Sequence, residues 1–408
     1  MIRAFAAALI AGALIANAAH AQGPASASVD DIAKFLAGMP TSPSSPLARY
    51  ADDASTKQHV SRLDTTFDNV EKSQLVKVRE WASANVASTR PILYYLFSGP
   101  DFLYANAFFP NASTYILAGL EPIGQVPDLA RMPRSTVAET LRNVQVSLGS
   151  ILSVSYFITA NMKQDLNKGP VFGTLPILYV FLARSGKTVR SVSLVNVDEH
   201  GNLVSADMPG IRPTARGVKI GFEGSDGEPK TLYYFTVSLS DEPRGIVFLQ
   251  YLRKLPRGDA FLKSASYLMH TAGFTQPRNF LLEHSELLLQ DDSGIPLSQF
   301  ETARWQLHPY GRYTGTLSIF QEHFQQRMAD FYARKSPKPI DFGIGYMSRF
   351  EGSNLLLAIR NHGAPDVAAP APIDAGLRRG LVGNAVRRKP KLPIHSSLFP
   401  SEYQQEIY

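Results

Sequence analysis

The chain contains no cysteine, and that absence excludes three classes of exported protein. A lipid anchor on an N-terminal cysteine, a disulfide scaffold, and thiol catalysis or thiolate zinc each need at least one. Long apolar runs are equally scarce. Beyond the first residues nothing approaches the roughly 20 apolar residues that span a bilayer; the densest stretch, Pro91 to Phe109, is broken by Ser98-Gly99-Pro100-Asp101. Familiar catalytic signatures are missing as well. There is no Gly-x-Ser-x-Gly elbow, no Ser-x-x-Lys and no His-Glu-x-x-His. Gly186-Lys187-Thr188 ends like a phosphate loop, but Phe181 stands where that loop needs glycine, and Gly343-Ile344-Gly345 lacks the third glycine of a dinucleotide loop. No cofactor and no metal site is therefore expected.

What is present begins with an address. Arg3, an apolar stretch from Phe5 to Ala16 and Ala19-His20-Ala21 before Gln22 have the layout of a cleaved signal peptide over residues 1–21. The reading is a soluble periplasmic protein, with release into the medium as the alternative. Of 408 residues, 44% are hydrophobic and 19% charged, enough for a large core in one or two domains. The formal charge is +6. Much of the excess lies in Arg378, Arg379, Arg387, Arg388, Lys389 and Lys391, within a Pro/Ala-rich tail over 361–408. Such a tail is either a solvated terminus or a contact for an anionic envelope component. No nucleic-acid-binding signature accompanies it.

Periodicity points to an α/β or α+β fold: a βαβ-like N-terminal part and an antiparallel meander in the middle. Residues 22–55 read as a mobile leader interrupted by a short amphipathic segment, Asp30 to Leu36. An α/β region follows over 56–186. Phe67 to Ala84 has helical spacing, Ile92 to Phe97 suits a strand buried on both faces, Pro100 to Phe108 a short helix and Tyr115 to Ala118 a second, parallel strand. Thr136 and Glu139 suggest a capping box before a long helix, and Leu175 to Arg184 a helix stopped by Gly186. The region 187–360 is mixed and β-rich, forming one domain with the preceding region or a second. Alternation in Val218-Ile220-Phe222 and Tyr233-Phe235-Val237-Leu239 around Gly224-Ser225-Asp226-Gly227 predicts a hairpin within a meander from Thr188 to Leu239. Phe261 to His270 and Leu317 to Tyr332 look helical, and Phe280 to Leu289 is ambiguous. Ile340 to Tyr346 and Leu355 to Ile359 suit a pair of late strands.

Three groups carry candidate chemistry. Asp101 and Glu121 each follow a predicted strand, where ligands bind in open parallel sheets, so they can share a site as acid and base or as ligands for a hard cation; equally, Asp101 can serve the positive helix end and Glu121 nearby amides. Asp291 and Asp292, before Ser293-Gly294, can bind a cation, orient a hydroxylated ligand such as a sugar, or simply form a turn. His308-Pro309-Tyr310-Gly311-Arg312-Tyr313 joins a proton carrier, His308, to ligand-binding candidates Tyr310, Arg312 and Tyr313; the tyrosines can also just cover a core edge. His270 suits a helix terminus better than catalysis.

The blocks Tyr95-Leu96-Phe97-Ser98-Gly99-Pro100-Asp101-Phe102-Leu103-Tyr104, Gly119-Leu120-Glu121-Pro122 and Gln290-Asp291-Asp292-Ser293-Gly294-Ile295-Pro296 resemble those of an uncharacterised group of exported bacterial proteins. The resemblance runs from about Tyr94 to Ile359 and implies no activity or site residue. The expectation is an exported binding or envelope-associated protein that engages an anionic envelope component or a sugar-bearing ligand. The alternative is a cofactor-free hydrolase or lyase using the carboxylates and His308.

Overall fold

The computed structural model describes residues 26–361 except 89, 127, 154–170 and 347–349. The expected signal peptide and the basic tail after residue 361 lie outside the described residues. The strands are β1 (Ile92–Tyr95), β2 (Thr114–Gly119), β3 (Thr188–Val197), β4 (Leu203–Ser205), β5 (Ala215–Glu223), β6 (Pro229–Thr236), β7 (Gly258–Leu262), β8 (Ser285–Gln290), β9 (Trp305–Gly311) and β10 (Asn354–Arg360). They form one mixed sheet in the order β4-β3-β5-β6-β2-β1-β7-β8-β10-β9. Its centre, β6-β2-β1-β7-β8, is parallel, and both flanks are antiparallel.

Period-two alternation divides the core between the two faces of this sheet. Leu93 and Tyr95 of β1, Tyr115 and Leu117 of β2, and Phe261 of β7 face one side. There they meet helices Val29–Leu36, Ala54–Val70, Val76–Asn85, Phe102–Phe108, Arg134–Ser153 and Leu175–Arg184. Ile92, Tyr94, Ile116, Ala260 and Leu262 face the other, against helices Pro243–Arg253 and Thr275–His284. Burial on both faces explains the continuous apolar runs of the central strands, since each large aliphatic or aromatic side chain removed from water contributes about 1.5–3 kcal/mol. The fold is thus mixed α/β, with the meander continuing the parallel centre through β6. Among the described residues no helix is long and apolar enough to cross a membrane.

Several local expectations need correction. Of residues 22–55, read as a mobile leader, the described part contributes Leu36, Leu47 and Tyr50 to the core at zero exposure. The helix expected from Phe67 begins at Ala54 and passes through a π turn at Glu71–Leu75 before resuming at Val76. The long helix starts at Arg134, so Thr136 lies inside its first turn and does not cap it. Leu317 to Tyr332 splits into a 3-10 segment, Ser318–His323, and a helix, Gln326–Lys335. Ile340 to Tyr346 forms no strand; β10 pairs instead with β8 and with β9, which contains His308. The largest departure is Phe261 to His270. Phe261 and Leu262 end β7, wedged between β1 and β8, and the rest is a turn followed by a 3-10 segment. Its apolar spacing imitates a helix, but sheet pairing on both sides decides the outcome.

Candidate functional site

The chain runs outward from β1 to β2 on one side and returns to β7 and β8 on the other, so the sheet order reverses between β1 and β7. Open α/β sheets place their ligands in the crevice beyond the carboxyl ends of strands at such a point. Here the loops after β1, β2, β7 and β8 bring buried charge to that end of the sheet.

After β1 the backbone turns sharply, with positive φ at Phe97 (62°) and Gly99 (54°). It then delivers Asp101 as the N-cap of the helix Phe102–Phe108, where Oδ1 accepts from the Tyr104 amide at 3.2 Å. Oδ2 accepts from the Tyr95 hydroxyl at 2.7 Å and from Lys263 Nζ at 2.7 Å. Lys263, the first residue after β7, also places its ammonium 3.9 Å from the centre of the Tyr104 ring. Burial, and then the Asp101 charge, push the Tyr95 phenol well above its usual range, so it stays protonated and donates.

After β2, Glu121 is 3% exposed and receives Tyr234 Oη on Oε2 at 3.0 Å. The backbone carbonyl of Glu121 accepts from Tyr234 and Thr236. After β8, Asp291 Oδ1 accepts from the amide and hydroxyl of Ser293, and Oδ2 from the Ser264 amide at 2.9 Å. Asp292 accepts from Tyr267 Oη on one oxygen and from Asn354 Nδ2, at 2.9 Å, on the other. Burial, reinforced by the charge of Asp292, pushes the Asp291 carboxyl up to about 7. Burial raises Asp292 as well, against the hydrogen bonds from Tyr267 and Asn354. Three carboxylates at this edge, Asp101, Glu121 and Asp292, therefore each hold a buried tyrosine hydroxyl.

The turn after β7 is the most strained backbone in the site. Ser264, Ser266 and Tyr267 have φ of 56°, 53° and 55°, a region that side chains other than glycine seldom occupy. Such conformations persist where surrounding contacts over-determine them. The contacts are the Ser264 amide on Asp291, the Ala265 amide on Ser293 Oγ at 2.7 Å, and Tyr346 Oη on the Ser264 carbonyl at 3.0 Å and on Ser266 Oγ at 2.7 Å.

Of the residues singled out in the sequence, Asp101, Glu121, Asp291 and Asp292 all lie at this end of the sheet. Asp101 serves its helix end, one of its two readings, and also holds Lys263, which the sequence did not suggest. The Asp291–Gly294 segment is both turn and polar hub, because Ser293 folds back onto Asp291. His308 is elsewhere: it sits in mid-β9 opposite Leu357, on the sheet's edge strand, with an exposed side chain. Tyr310 packs edge-on against Trp81 with ring centres 4.9 Å apart. Tyr313 accepts from the Gln325 amide at 3.0 Å and stacks on Phe324, and Arg312 is exposed just past the end of β9. His270 closes the 3-10 segment Leu268–His270, its ring edge-on to Tyr267; burial, then the nearby His323, push it down to about 4.

Lys263, Ser264, Tyr267 and Asn354 were not singled out. The available signal was a lysine directly after the apolar Ala260-Phe261-Leu262, which a helical reading of the segment concealed. No family model, curated protein or solved structure matches the chain.

Proposed function

We propose that the chain is an exported binding protein, held in the periplasm, whose site is the crevice where the sheet order reverses between β1 and β7. The N-terminal run with Arg3 and Ala19-His20-Ala21 supports the export reading. The observation that carries the binding reading is the concentration of buried, hydrogen-bonded charge and strained backbone at that one end of the sheet. Among the described residues, four carboxylates there are accompanied by a single lysine, itself paired with Asp101. The excess of carboxylates over cations at that end of the sheet favours a neutral ligand over one that brings negative charge. A sugar-bearing ligand fits this chemistry better than an anionic envelope component.

The hydrolase or lyase alternative draws support from the raised Asp291 carboxyl, but His308, its proposed proton carrier, stands on the edge strand.

The test is a thermal-shift screen of the full chain against neutral saccharides, wall fragments and anionic polymers, since a ligand that binds only the folded state raises the melting temperature. A neutral saccharide should raise it, and Ser266→Trp, beside Tyr346 at the strained turn after β7, should abolish the rise. A shift seen with anionic polymers alone, or one that survives Ser266→Trp, overturns the reading. Export is checked by fractionating cells; unprocessed chain in the cytosol sinks it.

A further inference from the structure

Asp291 and Asp292 are 2% and 6% exposed, and no basic side chain among the described residues forms an ion pair with either. The neighbouring ammonium, Lys263, is bound to Asp101. Buried carboxylates are ordinarily paired or bound to metal, because desolvating an uncompensated charge is costly.

A second, independent observation concerns neutral oxygens. Asn354 is 2% exposed, and its Nδ2 is docked on Asp292 Oδ1, yet its own Oδ1 has no hydrogen-bond partner. Ser264 Oγ is likewise buried and unpartnered, on the residue whose amide is bonded to Asp291. Buried polar atoms left unsatisfied in this way call for an explanation such as an ion. Two such oxygens on the partners of two adjacent buried carboxylates make a set of hard oxygen donors. Gly345 packs against the same carboxylate: a Cβ there would stand 2.0 Å from Asp291 Oδ2, so only glycine leaves that oxygen room.

We propose that Asp291, Asp292, Asn354 Oδ1 and Ser264 Oγ form a binding site for a calcium ion at the carboxyl end of β8. Among the described residues no three acidic or histidine side chains converge, so the donor set is two carboxylates completed by an amide and a hydroxyl. That mixture suits calcium, which accepts about six to eight oxygens in irregular geometry; magnesium demands an octahedron and retains its waters. The ion would neutralise the charge of the aspartates and fix the strained turn after β7 to β8 and β10.

The inference shares Asp291 and Asp292 with the saccharide reading but does not depend on it. Calcium uptake without any saccharide response would sink that reading and leave this one intact. The experiment is calorimetric titration of chelator-treated full chain with calcium and with magnesium, alongside melting curves in each. One calcium per chain should bind and raise the melting temperature. Ser264→Ala, which removes one hydroxyl and no hydrogen bond, should weaken calcium at least tenfold while the metal-free protein melts unchanged; Asp292→Asn should abolish binding. Absence of binding, a preference for magnesium, or calcium binding undiminished in Ser264→Ala and Asp292→Asn overturns the proposal.

Discussion

Lys263 Nζ lies 2.7 Å from Asp101 Oδ2 with both side chains 2% exposed, so β7 and β1 are tied at their carboxyl ends by a buried ion pair. Removing one member leaves the other charged and unmatched, at a cost of about 3–5 kcal/mol, whereas removing both charges is far milder. Lys263→Met should therefore lower the urea midpoint sharply, and Lys263→Met with Asp101→Asn should recover part of the loss, because Asn retains a cap for the Tyr104 amide. Additive losses across the pair would show that the contact carries no coupling.

Gly119 sits where the loops after β1 and β2 meet. A Cβ at this position would stand 2.3 Å from Glu121 Oε2 and 3.0 Å from both Gly99 Cα and Tyr234 Oη. Gly119→Ala must displace the Glu121 carboxylate or separate the loops, and overpacking of this kind costs about 1–3 kcal/mol. Urea unfolding should show a loss in that range. A neutral result would mean that Glu121 is held less firmly than its hydrogen bonds indicate.

His59 gives the fold a pH dependence of known sign. Its side chain is fully buried, with Nε2 against the Leu36 carbonyl at 2.9 Å and Nδ1 against Gln145 Nε2 at 3.0 Å. A neutral ring satisfies both contacts, donating at one nitrogen and accepting at the other. Burial, the largest cause, and the charge of Arg184 push the imidazole from 6.5 down to about 4, although its bond to Leu36 pulls the other way. Between those values the unfolded chain binds a proton that the native one excludes, so stability is full above pH 6.5 and is lost as pH falls toward 4. The loss attributable to His59 is about 3 kcal/mol. His59→Gln should reduce the slope of stability between pH 4 and 6.5; an unchanged slope would refute the assignment.

The legible parts of the fold were those fixed by local chemistry. Ile92 to Tyr95 and Tyr115 to Ala118 are apolar without interruption because both faces are covered, and Gly186, at φ 70°, ends its helix as expected. The placement of Asp101 and Glu121 at one end of the sheet was legible because each follows a parallel strand, whereas Asp291 and Asp292 stood out only as adjacent acids beside a hydroxyl and reach the same end through β8. Their partners were hidden for a physical reason. Lys263 meets Asp101, and Tyr234 meets Glu121, only after the strands between them pair, and nothing in the local sequence records that register. The strand position of His308 was hidden for the converse reason: its neighbours suggested a loop, while the hydrogen bonds that place it on an edge strand come from β10.

The tyrosine donors allow the network to be dissected without disturbing its packing. Tyr95, Tyr234 and Tyr267 donate to Asp101, Glu121 and Asp292 respectively, and all three rings are almost wholly buried. Replacement by phenylalanine deletes one hydroxyl and leaves each carboxylate with one donor fewer, at a cost of about 1.5–3 kcal/mol for a hydrogen bond to a charged group. The three need not be equal. Asp101 keeps the Lys263 ammonium after Tyr95→Phe, whereas Asp292 keeps only Asn354 Nδ2 among the side-chain donors to its carboxylate after Tyr267→Phe. Tyr267→Phe should consequently be the costlier of these two in urea unfolding of the metal-free chain, and its loss should shrink when calcium is added. If Tyr95→Phe proves the more damaging, the ion pair with Lys263 is not the dominant support of Asp101 and this end of the sheet is organised chiefly by its phenols.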